Sequence, residues 1–148
     1  MKFSTSIEYA IHGLIYLAKA PAGRPVLTSE IGRATSVPEA YLHKVFQQLG
    51  RSGLVTSQRG ARGGFRLSRD SNQITLKDVV ESIDGSLPIY TCLRELRGCS
   101  LGLPCPVQSA FEEARQRMAE VLEATSISDL LVDIGRQEPV VQWLQVSG

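Results

Sequence analysis

Three cysteines, Cys92, Cys99 and Cys105, share one short stretch, with six and then five residues between them. A thiolate is a soft ligand for soft and borderline metals, and three from a single loop can wrap one iron–sulfur cluster. Gly98, Gly102 and Pro104 give the stretch the composition of a loop. The spacing excludes a zinc ribbon, which needs cysteines paired two to four residues apart. Taken alone, the pattern fits ordinary free thiols, buried or exposed, at least as well. Three thiolates also leave one iron position open, and Gln108, three residues beyond Cys105, offers only a weakly ligating amide. Glu8 and His12 are four apart, which on a helix sets a carboxylate and an imidazole on one face, ~6 Å from each other. Both groups ligate iron. The plainer alternative is an exposed helical pair worth on the order of a few tenths of a kcal/mol.

A second constellation is polar and basic. Ala40, His43, Lys44 and Gln47 fall at offsets of zero, three, four and seven, a single stripe on a helix. Such a stripe suits the floor of a DNA major groove, where base edges present donors, acceptors and thymine methyls. Lys44 and Gln47 reach base edges or phosphates, His43 does either, and Ala40 permits close approach. A solvated helix face would have the same composition. The neighbouring segment favours DNA: Gly60-Ala61-Arg62-Gly63-Gly64 separates two alternating stretches, and Arg59, Arg62, Arg66 and Arg69 cluster on and beside it. Arginines on a glycine-rich hairpin enter a minor groove or bind its flanking phosphates. Thr28, at the start of the preceding short helix, is counted with Ala40, His43, Lys44, Gln47, Arg59 and Arg62 as a DNA-binding residue.

These residues need elements to hold them. Ile7, Ile11, Leu14 and Ala18 recur at helical spacing from about Ser4 to Lys19, and Pro21 to Pro25 breaks that helix. Thr28 or Ser29 opens a short helix with Ile31 and Ala34 turned inward. Ser36, with Glu39 three residues later, reads as a capping box for a third helix carrying Leu42, Val45, Phe46 and Leu49. Two helices joined by a tight turn form a helix-turn-helix, and Leu54–Arg59 with Phe65–Arg69 form a hairpin after it. That hairpin is a wing. Thr75 and Asp78 box the next helix, which runs to Gly85. Pro106 opens a long helix to about Ala124, with Val107, Phe111, Ala114, Met118, Val121 and Leu122 as an a/d-like seam. Ser126 to Asp129 starts a last short helix, and Pro139 to Gly148 is extended or frayed, with Trp143 and Leu144 able to dock on a partner.

The chain has 148 residues, 43% hydrophobic and 21% charged, enough for one packed domain with a small appendage. Its net charge of +1 conceals an asymmetry. Met1 to Asp70 holds ten Lys and Arg against four Asp and Glu, and Ser71 to Gly148 six against eleven. A basic half beside an acidic half points to a polyanion at one end. The best apolar run, Ile7 to Ala18, is broken by Glu8 and His12, so no membrane span is expected. The first residues lack the apolar block of a signal peptide, and an odd cysteine count suits a reducing compartment, so a cytoplasmic location is expected. No nucleophile–base pair, phosphate loop or nucleotide fingerprint points to an enzyme.

Several of these segments carry a resemblance. Met1-Lys2-Phe3-Ser4 through Tyr9-Ala10, Leu14 to Ala18, Tyr41-Leu42, Phe46 to Leu49, Gly53-Leu54-Val55 and Arg59 to Leu67 resemble the IscR/NsrR/RirA/CymR family of bacterial winged-helix regulators. The match runs in order from Met1 to about Ile134, and the three-cysteine loop before the long helix is its most specific part. The resemblance implies a homodimer joined through the Pro106 to Ala124 helix, binding a roughly palindromic double-stranded DNA operator. It implies an iron–sulfur cluster, 2Fe-2S or 4Fe-4S, on Cys92, Cys99 and Cys105, whose loss or redox change alters DNA affinity. It also places the first helix of one chain near the cysteine loop of the other, where Glu8 and His12 complete the ligand set. The expected fold is mainly α with a small β-wing. Residues 1–85 form a winged helix-turn-helix DNA-binding domain, 86–105 a cluster-binding loop, and 106–148 the dimerisation helix and C-terminal segment. The expected function is a transcription regulator, most simply a repressor, sensing iron–sulfur status, redox state or nitric oxide. A cluster-free regulator sensing a thiol or metabolite, and an iron–sulfur carrier protein, are the alternatives.

Overall fold

Ile7, Ala10, Leu14 and Leu17 are buried along one side of the first helix, α1 (Thr5–Lys19), as their spacing requires. The computed structural model describes residues 2–87 and 105–137. After α1 come α2 (Thr28–Thr35), α3 (Glu39–Arg51), the strands β1 (Val55–Gln58) and β2 (Gly64–Leu67), and α4 (Leu76–Asp84). Among the described residues, the last two helices are α5 (Pro106–Ala124) and α6 (Ile127–Gly135). The fold of the described residues is mainly helical with one two-stranded antiparallel sheet, as expected.

Among the described residues, Phe46 of α3 is the largest fully buried side chain, and α1 crosses α3 directly over it. A Cβ at Gly13 would stand 2.6 Å from the Phe46 ring, so this crossing depends on a glycine. Leu42, Val45 and Leu49 complete the buried stripe of α3, and Ile31 brings α2 into the same core.

The junction between α2 and α3 differs from the expected capping box. The helix begins at Glu39 with Pro38 in the capping position, and Ser36 instead ends α2 in the left-handed region at φ 59°. Proline disfavours helical geometry in the residue before it, so α3 cannot reach back to Ser36. Glu39 accepts instead from the Thr28 hydroxyl, 3.3 Å away.

The wing pairs Val55 with Leu67, Thr56 with Arg66, Ser57 with Phe65 and Gln58 with Gly64. Val26, just before α2, adds a bridge to Phe65 through two 2.8 Å backbone hydrogen bonds. Gly64 makes this possible. Its φ is +136°, and a Cβ there would lie 2.5 Å from the Val26 carbonyl oxygen.

Two reciprocal capping boxes, Thr75 with Asp78 and Ser126 with Asp129, start α4 and α6 side by side. They are joined by Leu76 N–H to the Thr125 carbonyl (2.9 Å) and Ile127 N–H to the Ile74 carbonyl (2.8 Å). Ile127 is fully buried in the same core as α1 and α3, with Leu130, Leu131 and Ile134 packed against it. The winged-helix body is therefore completed by α6, from beyond the long helix.

No residue of α5 itself is buried. Met118, Ala119 and Leu122 rest partly covered against Ile7, Val80 and Leu87, while Val107, Phe111 and Val121 are exposed at 43%, 52% and 65%. At 19 residues, α5 is ~28 Å long. Among the described residues, no helix is long and apolar enough to cross a membrane.

Candidate nucleic-acid interface

Ala40, His43, Lys44 and Gln47 all stand exposed on α3, on the side away from Leu42, Val45, Phe46 and Leu49. Phe65 of β2 fastens the wing to this helix. Its ring lies 5.0 Å from that of Phe46, and His43 approaches it edge-on at 6.4 Å. The His43 edge of the α3 face therefore adjoins the wing.

Arg59 and Arg62 are exposed at the wing tip, where Gly63 N–H closes a turn onto the Gly60 carbonyl at 2.9 Å. A Cβ at Gly63 would meet the Gln58 carbonyl at 2.5 Å, so the tip can close only around a residue without a side chain. Among the described residues, Lys44, Arg59 and Arg62 enter no ion pair, which leaves their charge for an external anion.

The other arginines are differently placed. Arg66 lies across the hairpin from Thr56, to whose hydroxyl its Nε donates at 3.2 Å. Arg69, grouped by sequence with the wing arginines, pairs with Asp78 at 2.8 Å. Asp78 Oδ2 also accepts the Thr75 N–H that closes the α4 box, so Arg69 braces the base of the wing. Arg24 forks onto Glu30 at 2.8 and 2.9 Å, and the Tyr16 hydroxyl donates to the same carboxylate at 3.1 Å. Burial, and then that hydrogen bond, push the Tyr16 phenol above its ordinary value. Thr28 is only 6% exposed, and its hydroxyl is turned to Glu39. Its place is under the helix-turn-helix, not on its surface.

Tyr41 has a more prominent position than its sequence suggested. It is 61% exposed, and its ring leans on that of Tyr9 with centroids 6.4 Å apart. The sequence did carry a signal: at one residue from Ala40 and three from Lys44, Tyr41 falls outside the buried stripe.

The candidate metal ligands are only partly described. Cys92 and Cys99 lie outside the described residues. Cys105 occupies the capping position at the start of α5 and is 7% exposed. Exposed Glu8 and half-buried His12 border one groove on α1, about 400 Å³ in volume, together with Lys2, Phe3 and Ile11. Among the described residues, no three His, Cys, Asp or Glu gather to hold a metal ion. Carboxylate, imidazole and thiolate are all iron donors, so the set suits a cluster in its chemistry while one protomer's described part does not assemble it.

The geometry is that of a helix-turn-helix with an arginine-tipped wing and a long helix that leaves Val107, Phe111 and Val121 exposed. Residues 3–133 match the model of the Rrf2 family, described as iron-dependent transcriptional regulator. A protein of Aquifex aeolicus (strain VF5), named as an HTH-type transcriptional regulator, is 33% identical over 133 residues, 88% of this chain and 92% of its own. The structure of CymR, the global cysteine regulator of B. subtilis, is similar at a TM-score of 0.73 and 28% identity, covering 90% of this chain and 98% of that one. The structure of T. potens IscR is similar at 0.68 and 28%, covering 90% and 88%. On the family match over most of its length and its curated relative, the chain belongs to the Rrf2 family of DNA-binding transcriptional regulators.

Proposed function

We propose that this regulator is a homodimer acting in the cytoplasm, not an enzyme, and that an iron–sulfur cluster sets its affinity for a palindromic operator. The observation that carries the DNA reading is the exposed Ala40, His43, Lys44 and Gln47 face, fastened through Phe65 to a wing bearing Arg59 and Arg62. Lys44, Gln47 and His43 enter the major groove, Ala40 allows approach, and the two arginines take phosphates or the minor groove. Thr28 acts by holding Glu39 at the start of the recognition helix. Dimerisation through Val107, Phe111 and Val121 of α5 sets two recognition helices about a two-fold axis, as a palindrome requires.

Cys92, Cys99 and Cys105 would hold the cluster, and Glu8 and His12 of the partner subunit would complete its ligand set. When bound, such a group supplies metal–ligand bonds sensitive to oxidation and nitric oxide. The chain's own residues carry the consequence. Glu8 and His12 sit on α1, which crosses the recognition helix at Gly13 and Phe46, so tension on α1 reaches α3 directly. A coupling of ~1–3 kcal/mol is enough for regulation. Protein purified without oxygen is expected to contain iron and sulfide and to absorb in the visible. Glu8→Ala or His12→Ala should shift that spectrum, and Gln108→Ala should leave it unchanged. An unchanged spectrum in the Glu8→Ala, His12→Ala double variant removes both from the ligand set.

A second reading, a cluster-free regulator responding to a thiol or metabolite, is favoured by the likeness to the global cysteine regulator of B. subtilis. Specific DNA binding by protein that lacks iron and sulfide, even when prepared without oxygen, would select it.

A further inference from the structure

We propose that Tyr41 donates its hydroxyl to a phosphate of the bound DNA, and that Tyr9 of α1 holds its ring in place to do so. The inference rests on the reading of α3 as the recognition helix and adds a second edge to its face. On the helical wheel His43 and Tyr41 flank the stripe of Ala40, Lys44 and Gln47 from opposite sides. The His43 edge adjoins the wing through Phe65, and the Tyr41 edge adjoins α1 through Tyr9.

Size dictates what each edge meets. An α-helix with side chains is ~10–12 Å across, and the major groove is ~12 Å wide. A helix seated there presents its central stripe to the bases and its two edges to the sugar–phosphate walls. The wing serves one wall. The other wall faces Tyr41, an aromatic 61% exposed with a donor at its outer end.

The bracing is visible in the packing. Tyr9 lies one helical turn before Gly13, and Tyr41 lies five residues before Phe46, so the two tyrosines extend the same α1–α3 crossing towards the start of α3. Tyr9 is partly buried against the core while Tyr41 is not, so Tyr9 is the fixed member of the pair. The hydroxyl of Tyr41 has no hydrogen-bond partner among the described residues, so its donor is available to a ligand. A tyrosine with an apolar body on a neighbour and a wet hydroxyl is suited to an interface. Because Tyr9 directly follows Glu8, a displacement of α1 would also carry the brace with it.

The test measures binding of the full chain to an operator duplex selected from random sequence and to a scrambled duplex of equal length. Tyr41→Phe should lose about tenfold on both duplexes, the cost of one hydrogen bond to a charged acceptor. The salt dependence should not change, since a neutral hydroxyl releases no counterion, whereas Lys44→Ala should reduce the slope by about one. Tyr9→Phe should bind as wild type because it keeps the ring, and Tyr9→Ala should lose as much as Tyr41→Phe at comparable melting temperature. Wild-type affinity of Tyr41→Phe beside a weakened Lys44→Ala overturns the phosphate contact and leaves the recognition face intact. A loss confined to the operator overturns it too, by making Tyr41 a base contact. Wild-type affinity of both variants overturns the recognition face and this inference together.

Discussion

Truncating Phe111 to alanine gives a quantitative view of the outer face of α5. A phenyl side chain offers about 200 Å² of surface, and Phe111 is 52% exposed, so about 100 Å² of it is left for a partner to cover. At ~25 cal/mol per Å² that cover is worth ~2.5 kcal/mol, of which alanine retains a small part. A two-fold interface repeats the contact, so Phe111→Ala should weaken the dimer by ~4 kcal/mol, roughly a thousandfold in its dissociation constant. Met118, Ala119 and Leu122 still hold α5 to the body, so the helices of each protomer should persist. Sedimentation velocity over a wide concentration range reads the dissociation constant, and circular dichroism checks the helices. Binding to a half-site duplex should survive while binding to the full palindrome falls. A dimer constant within threefold of wild type would refute the assignment of this face of α5 as the interface.

Other expectations rest on single contacts. Gly64→Ala places a methyl 2.5 Å from the Val26 carbonyl at a φ of +136°, and should cost ~1–3 kcal/mol in thermal stability while weakening DNA binding through the displaced wing. Lys44→Ala and Arg62→Ala should each lower the salt slope of DNA binding by about one without altering the dimer. The Ser126 side chain, followed by its backbone N–H, holds the Asp129 carboxyl below its ordinary value. A carboxyl lowered by folding stabilises the fold above its unfolded value, and that contribution is lost as pH falls through the folded value. Asp129→Asn should therefore lower the melting temperature near neutrality and flatten the acid limb of its pH profile, the two proteins converging at low pH.

Local signals were legible in the chain and distant ones were not. The boxes at Thr75–Asp78 and Ser126–Asp129 form where their spacing puts them, because both partners lie within one turn. The same spacing at Ser36 and Glu39 fails because Pro38 intervenes and Thr28, from another helix, takes up the Glu39 carboxylate. The seam of α5 was readable as a stripe, but periodicity does not say what covers it. Packing divides it between Met118 and Leu122 against the body and Val107, Phe111 and Val121 outward. Nothing near Ile127 announces that it enters the core below α1, since its neighbours there come from residues far along the chain. The exposed stripe of Ala40, His43, Lys44 and Gln47 was legible by offset alone. Its edges were not, because Phe65 and Tyr9 define them from other elements. Of the proposed cluster ligands, spacing tied Glu8 to His12 on one helix, but periodicity carries no signal for the proposed meeting with a partner's cysteine loop.

On the proposed reading cluster state sets operator affinity, and one comparison tests that coupling most directly. Protein purified without oxygen, with its iron and sulfide quantified, is titrated against a selected palindromic duplex before and after the cluster is removed by chelation under the same salt. A dimer is predicted in both states, with a change in dissociation constant of about five- to 150-fold. Equal affinities for cluster-loaded and cluster-free dimer would contradict the claim.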